Sequence, residues 1–197
     1  MFGHVKLARV NTILLIAILF INGYIIVLPV LPNVLFWAQH RDPHRVQKME
    51  AQIHTKPGSK PDDRPRENRL VAPSMLFDEP VFDGPNATTL RKGLWRRPNT
   101  STPDKGGNTV FVGHRLTYSN PRGTLYNLDK VHVGDDLAVW WQGKRYLYNV
   151  TETKVVKPTE IGVEAPTKDP QLTIYTCTPL WLPKDRLVVI AKLEDIE

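Results

Sequence analysis

Cysteine is nearly absent from this chain: Cys177 is the only one in 197 residues. A lone thiol makes no intramolecular disulfide, which excludes a fold held together by cross-links. With the six histidines scattered along the sequence, it also matches no common zinc-ligand spacing. Charge is missing from one long stretch, Val10–Gln39, which contains no Asp, Glu, Lys or Arg. A basic stripe is missing from the rest, despite a net charge of +6. Residues 1–69 hold ten Lys/Arg against five Asp/Glu, whereas residues 70–197 hold sixteen against fifteen. The excess therefore lies toward the N-terminus, where anionic lipid or an anionic wall polymer is the natural partner. Nothing in the remainder tracks a phosphate backbone, which argues against nucleic acid. No internal repeat is visible.

What is present divides the chain into four parts. Ile13–Trp37 is mostly apolar, and crossing a hydrocarbon core of about 30 Å takes about 20 residues. A cleaved signal peptide has an apolar region of about 7–15 residues and ends at a small-residue site. This run is longer, and the stretch from Pro29 to Asn33 offers no such site. The sequence predicts an uncleaved membrane anchor over residues 10–39 behind a short tail, residues 1–9, that includes His4. Asn22-Gly23, Pro29 and Pro32 interrupt the run, so a kinked or shortened helix ending near Pro29 also fits. Lys6 and Arg9 precede the anchor while Arg41, Arg45 and Lys48 follow it. By local count the positive-inside rule favours the opposite orientation, although a large downstream domain translocates largely regardless of charge.

Residues 40–69 are polar, rich in proline and poor in anything to bury, and read as a stalk. His44–Ile53 fits a short helix within it, and His40, His44 and His54 read as solvated linker residues. From Leu70 the pattern changes to short strands and turns. LVAPSMLFDEPVFDGP gives two extended pieces broken by prolines, and Thr88–Leu94 one helical turn. Thr109–Gly113 is an apolar strand ending at His114. Asp136–Trp141 and Arg145–Val156 flank Gln142-Gly143-Lys144, a hairpin signal. Val155–Pro170 reads as a loop, and His132 as an exposed turn residue. Short strands at this spacing predict a mostly β domain over residues 70–197, a small closed or partly closed β-barrel with short helices.

The chemistry points to Gln171–Leu193, QLTIYTCTPLWLPKDRLVVIAKL. Alternation sends Leu172, Ile174 and Thr176 to one face and Thr173, Tyr175 and Cys177 to the other. Leu187, Val189, Ala191 and Leu193 alternate likewise after Arg186, and Pro179 and Pro183 make the linker a loop. If these strands pair antiparallel, the thiol ending the first meets the guanidinium opening the second. Taken alone, Cys177 reads as a small buried hydrophobe, the commoner fate of free cysteine, and His114 as a satisfied strand-end histidine. The threonine before Cys177, the arginine nine residues on and an exported setting shift the reading to a nucleophile.

These residues resemble the sortases, cysteine transpeptidases of bacterial cell surfaces. TCTP, a short loop and RLVV are similar to the family's active-site stretch. GNTVFVGHR at Gly107–Arg115 resembles its histidine segment, and LYNLDKVHVGDDLAVWW resembles the run between them. The resemblance extends from roughly Leu70 to Leu193 and implies a sortase-like barrel outside the cell, with residues 1–9 as a cytoplasmic tail and residues 40–69 as an extracellular stalk. The short Cys177–Arg186 loop resembles the compact D and E classes, and no segment resembles the lid of pilin-assembling relatives.

The resemblance implies a sorting signal of LPXTG type, cleaved after its threonine through a thioacyl intermediate on Cys177. An amine of a wall precursor or a pilin lysine then resolves that intermediate. His114 is the implied acid and base, Arg186 the partner of thiolate or oxyanion, and Thr176 a contact on the oxyanion or substrate side. No cofactor is expected, although some relatives use calcium. The chain ends LEDIE, without a sorting signal, so its implied substrates are other surface proteins. Two rival readings are a cysteine hydrolase that releases its acyl group to water and a non-catalytic surface barrel with a structural Cys177.

Overall fold

Alternation of apolar and polar residues from Arg69 onward closes into a barrel in this computed structural model, which describes residues 2–54, 65, 67–116, 125–180 and 182–197. The strands are β1 (Arg69–Ala72), β2 (Phe77–Asp83), β3 (Leu94–Arg96) and β4 (Asn108–Val112). They continue with β5 (Asp136–Trp141), β6 (Lys144–Val156), β7 (Gln171–Thr178) and β8 (Asp185–Ile196). Around the barrel the order is β1-β2-β3-β4-β7-β8-β6-β5, and β5 pairs back onto β1. The β2–β3 and β4–β7 pairs are parallel and the others antiparallel.

The interior holds the inward half of each alternation. Leu70, Leu94, Phe111, Leu137, Tyr148 and Ile174 are all sealed in one cluster. The expected β5–β6 hairpin is present, with positive φ at both Gln142 and Gly143. Two adjacent left-handed residues give a turn whose twist matches that of the strands it joins. The expected helical turn appears as a 3₁₀ turn at Ala87–Arg91, where the Asn86 side chain accepts from the Thr88 amide at 3.1 Å. The loop between β6 and β7 carries another, Ile161–Glu164.

The N-terminal segments form α1 (Phe2–His40) and α2 (Pro43–Ile53). The helix α1 does not stop near Pro29 but runs through both prolines to His40. Asn22 does not break it, because its side-chain amide donates to the Ile18 carbonyl one turn back at 2.7 Å. Arg9–Val27 is long and apolar enough to cross a membrane, about 28 Å at 1.5 Å per residue. The Asp42 carboxylate accepts from the His44 amide at the start of α2 at 3.1 Å.

Residues 46–197 form one compact unit and residues 1–45 another. That moves the boundary of the folded part upstream of Leu70. The first residues of the expected stalk are docked: Met49 and Ile53 are buried against Val71, Ala138 and Trp140 on the outside of the barrel. Arg145, itself buried, donates to the Ile53 carbonyl and pairs with Glu197 at 2.8 Å. One guanidinium thus ties the end of α2 to the end of β8. His54 lies 3.6 Å from Asp136 and is not a free linker residue. The proline-rich tract 55–64 falls outside the described residues.

Candidate active site

Strand β7 carries the thiol because of its period. Leu172, Ile174 and Thr176 point into the barrel, so Thr173, Tyr175 and Cys177 point out. Cys177 is only part-buried, as a reacting group must be and a sealed core thiol is not. On β8 the pairing partner of Cys177 is Arg186. Side chains directly opposite in a sheet project from the same face, and Arg186 Nη1 reaches Cys177 Sγ at 3.4 Å. The same guanidinium nitrogen lies 3.3 Å from the Asp185 carbonyl. The meeting of thiol and guanidinium expected from the sequence is therefore present.

His114 reaches this edge from β4. The last β4–β7 pair is Val112 with Tyr175, and two steps further in parallel register stand His114 and Cys177. Two bonds carry the pairing past the strand end. The Gly113 amide donates to the Tyr175 carbonyl at 3.4 Å, and the Thr176 hydroxyl donates to the Gly113 carbonyl at 2.8 Å. Beyond His114, its carbonyl accepts from Leu125 at 2.8 Å, and Arg115 Nε donates to the Tyr126 carbonyl at 2.8 Å. The exposed His114 imidazole is thus held by a backbone fixed on both sides.

Gly113 allows this close approach. A Cβ there would sit 2.9 Å from Leu125 Cγ and 3.3 Å from Leu94 Cδ1, inside the packed core. The backbone and the hydroxyl of Thr176 are both candidates for the oxyanion or substrate side, and the structure withdraws the hydroxyl. It faces the barrel interior, 1 % exposed, and its proton is committed to Gly113. Its side chain links β7 to the histidine segment. His132 is exposed, as expected.

Three residues beside the site carried no signal of function in the sequence. Tyr175, on the Cys177 face of β7, donates its phenol to Glu164 Oε1 at 2.5 Å. Glu164 is also held by Arg97 Nε at 3.0 and 3.1 Å, and that guanidinium lies 5.0 Å over the Trp95 ring. Burial, then the bond to Glu164, pushes the Tyr175 phenol far above the ordinary tyrosine range, so it stays a neutral donor. Burial weakens the hold of Arg97 on its proton, but its neighbours Glu164 and Tyr175 together raise it above the ordinary value. Strand alternation places Tyr175 next to Cys177; its partners, 67 residues apart in sequence, leave no local pattern. Asn108, 2 % exposed, donates to the Val163 and Ala165 carbonyls and accepts from Thr173, which anchors the β6–β7 loop beside the same face. Among the described residues no His/Cys/Asp/Glu group has metal-ligand geometry.

Comparison with known proteins agrees with this geometry. The family model described as the sortase domain matches residues 70–194. Sortase A of Listeria monocytogenes is 30% identical over 129 residues, which is 65% of this chain and 56% of that protein. Sortase D of Bacillus subtilis is 26% identical over 129 residues, covering 65% of this chain and 62% of that protein. The chain thus spans less than two thirds of the length of these two curated relatives. The crystal structure of Listeria monocytogenes sortase A matches with a TM-score of 0.58 at 28% identity, over 66% of this chain and 88% of that one.

Proposed function

The chain belongs to the sortase family, and from that premise we propose that it is a membrane-anchored cysteine transpeptidase acting on sorting signals of surface proteins. The substrate is a peptide of LPXTG type, cut after its threonine. The observation that carries this reading is the Arg186–Cys177 contact of 3.4 Å on an accessible barrel face, beside the segment that bears His114.

Each group has a step it is suited to. A thiol attacks as its thiolate, and an ordinary thiol with pKa about 8.5 is mostly protonated near pH 7. The permanent charge of Arg186 stabilises the thiolate, then the oxyanion that forms when sulfur adds to the scissile carbonyl. The proton that Cys177 gives up passes to His114, and as that intermediate collapses the C–N bond breaks and the leaving amine takes that proton. The resulting thioester on Cys177 is attacked by an incoming amine, which gives its proton back to His114, and the thiol is released. The acceptor is an amine of a peptidoglycan precursor or a pilin lysine. Anionic lipid meets the basic flanks of α1, with the N-terminus inside the cell and the barrel outside.

The test is full-length protein in detergent with an LPXTG peptide and an added amine, followed by mass spectrometry. The expected result is a thioester mass on Cys177 and a peptide–amine product, both lost in Cys177→Ala. His114→Ala should abolish nearly all turnover, and Arg186→Ala should lower it by about 10²–10³-fold, the range for one oxyanion donor. Free acid as the sole product, whatever amine is added, would convert the assignment to a hydrolase.

A further inference from the structure

Two carboxylates lie on the residues around the Cys177–Arg186 pair, Asp185 next to Arg186 and Glu164 on the Tyr175 phenol, and each is held by a different cation. Asp185, adjacent to Arg186 in the chain, accepts from Lys157 Nζ at 2.8 Å. Glu164 takes Arg97 Nε on both oxygens and the Tyr175 phenol on one. Arg186 has no carboxylate partner among the described residues, and its Nη1 is shared between Cys177 Sγ and the Asp185 carbonyl.

Tyr175 links the two systems. It stands two residues before Cys177 on the same face of β7, one same-face step of about 6.6 Å from the thiol. On β8, the residue opposite Tyr175 is Val188, two places beyond Arg186. An arginine side chain is long enough to swing along such a step. Burial and Glu164 hold the Tyr175 phenol up, and the charges of Arg97 and Arg186 act against that shift. Arg97 is the cation that holds Glu164 among the described residues, so its removal leaves that carboxylate without its cationic partner on the face that carries Arg186.

We propose that Arg97 is a positioning residue for the reaction: by occupying Glu164, it leaves the Arg186 guanidinium on Cys177. The inference rests on the roles of Cys177 and Arg186 given above. It assigns Glu164 no part in the chemistry; Glu164 matters only as the competitor that Arg97 removes.

A double-mutant cycle on the full-length protein in detergent tests this, with kcat and KM measured separately for the LPXTG peptide and amine. Arg97→Gln should lower kcat about tenfold with KM changed less than about twofold, and Glu164→Gln alone should stay within about twofold of the parent. The double variant Arg97→Gln/Glu164→Gln should return to the level of Glu164→Gln, because the competing charge is gone. A double variant as slow as Arg97→Gln would overturn the proposal, since loss of a loop clamp or of the Trp95 contact predicts that result. An Arg97→Gln variant with parental kcat would also overturn it. Full activity in Cys177→Ala would instead sink the catalytic reading itself, so the two failures are told apart.

Discussion

Thr176 shows how a buried hydroxyl serves a site that it does not touch. Its bond to the Gly113 carbonyl joins the strand bearing the thiol to the segment bearing His114. Thr176→Val keeps the shape and deletes the donor. It should cost about 1–3 kcal/mol in thermal or urea unfolding, the range for an unsatisfied buried acceptor. Turnover should fall with it, and Thr176→Ser should recover most of both. Gly113→Ala should be harsher, because its new methyl meets Leu125 and Leu94 side chains that are packed in the core. Tyrosines set a further expectation at this scale. Burial holds the Tyr148 phenol well above its usual range. The folded state therefore keeps a proton that the unfolded chain loses above about pH 10, so stability should fall as pH rises past that point. Tyr148→Phe should make that fall shallower in alkaline unfolding curves.

At the scale of elements, α2 is part of the folded unit. Met49 and Ile53 cover Val71, Ala138 and Trp140, and Arg145 fastens the helix end to the C-terminus. Ile53→Ala should cost about 2–4 kcal/mol, as buried large-to-small changes do. A fragment beginning at Leu70 should melt below one beginning at Pro43, because it exposes the outer apolar patch and leaves Arg145 without its carbonyl partner. Equal melting temperatures would show that the helix contributes nothing to stability. The β7–β8 ladder explains why the site needs two neighbouring strands: register alone puts Cys177 opposite Arg186, so a one-residue slip would turn one of them inward.

Over the whole molecule, an apolar helix long enough to cross a membrane and a closed barrel that carries the proposed site belong to separate units. Ile18→Arg, in the middle of the span from Arg9 to Val27, should weaken membrane insertion by roughly 2.5–3.5 kcal/mol. In cell fractionation the variant should move from the membrane toward the soluble pool. Its peptide turnover in detergent should be unchanged, because the proposed catalytic groups lie in the unit formed by residues 46–197. The barrel brings β4, β7 and β8 edge to edge although β5 and β6 intervene in the chain. That crossing joins residues 63 positions apart, as in the Thr176–Gly113 bond.

The amino-acid sequence by itself determined the features with a short period or a local composition. The uncharged run of α1, the two-residue alternation of β7 and β8, the Gln142-Gly143 turn and the placement of Cys177 near Arg186 all arise within a few residues of one another. Tertiary structure decided the rest, because those contacts join distant segments with no shared pattern. Only the closed barrel turns the Thr176 hydroxyl inward onto Gly113 and brings Arg97, Glu164 and Tyr175 together. Docking of Met49 and Ile53 is of the same kind. Two apolar residues in a polar helix look soluble until the barrel wall they cover has formed, since burial is a property of the partner surface as much as of the residue.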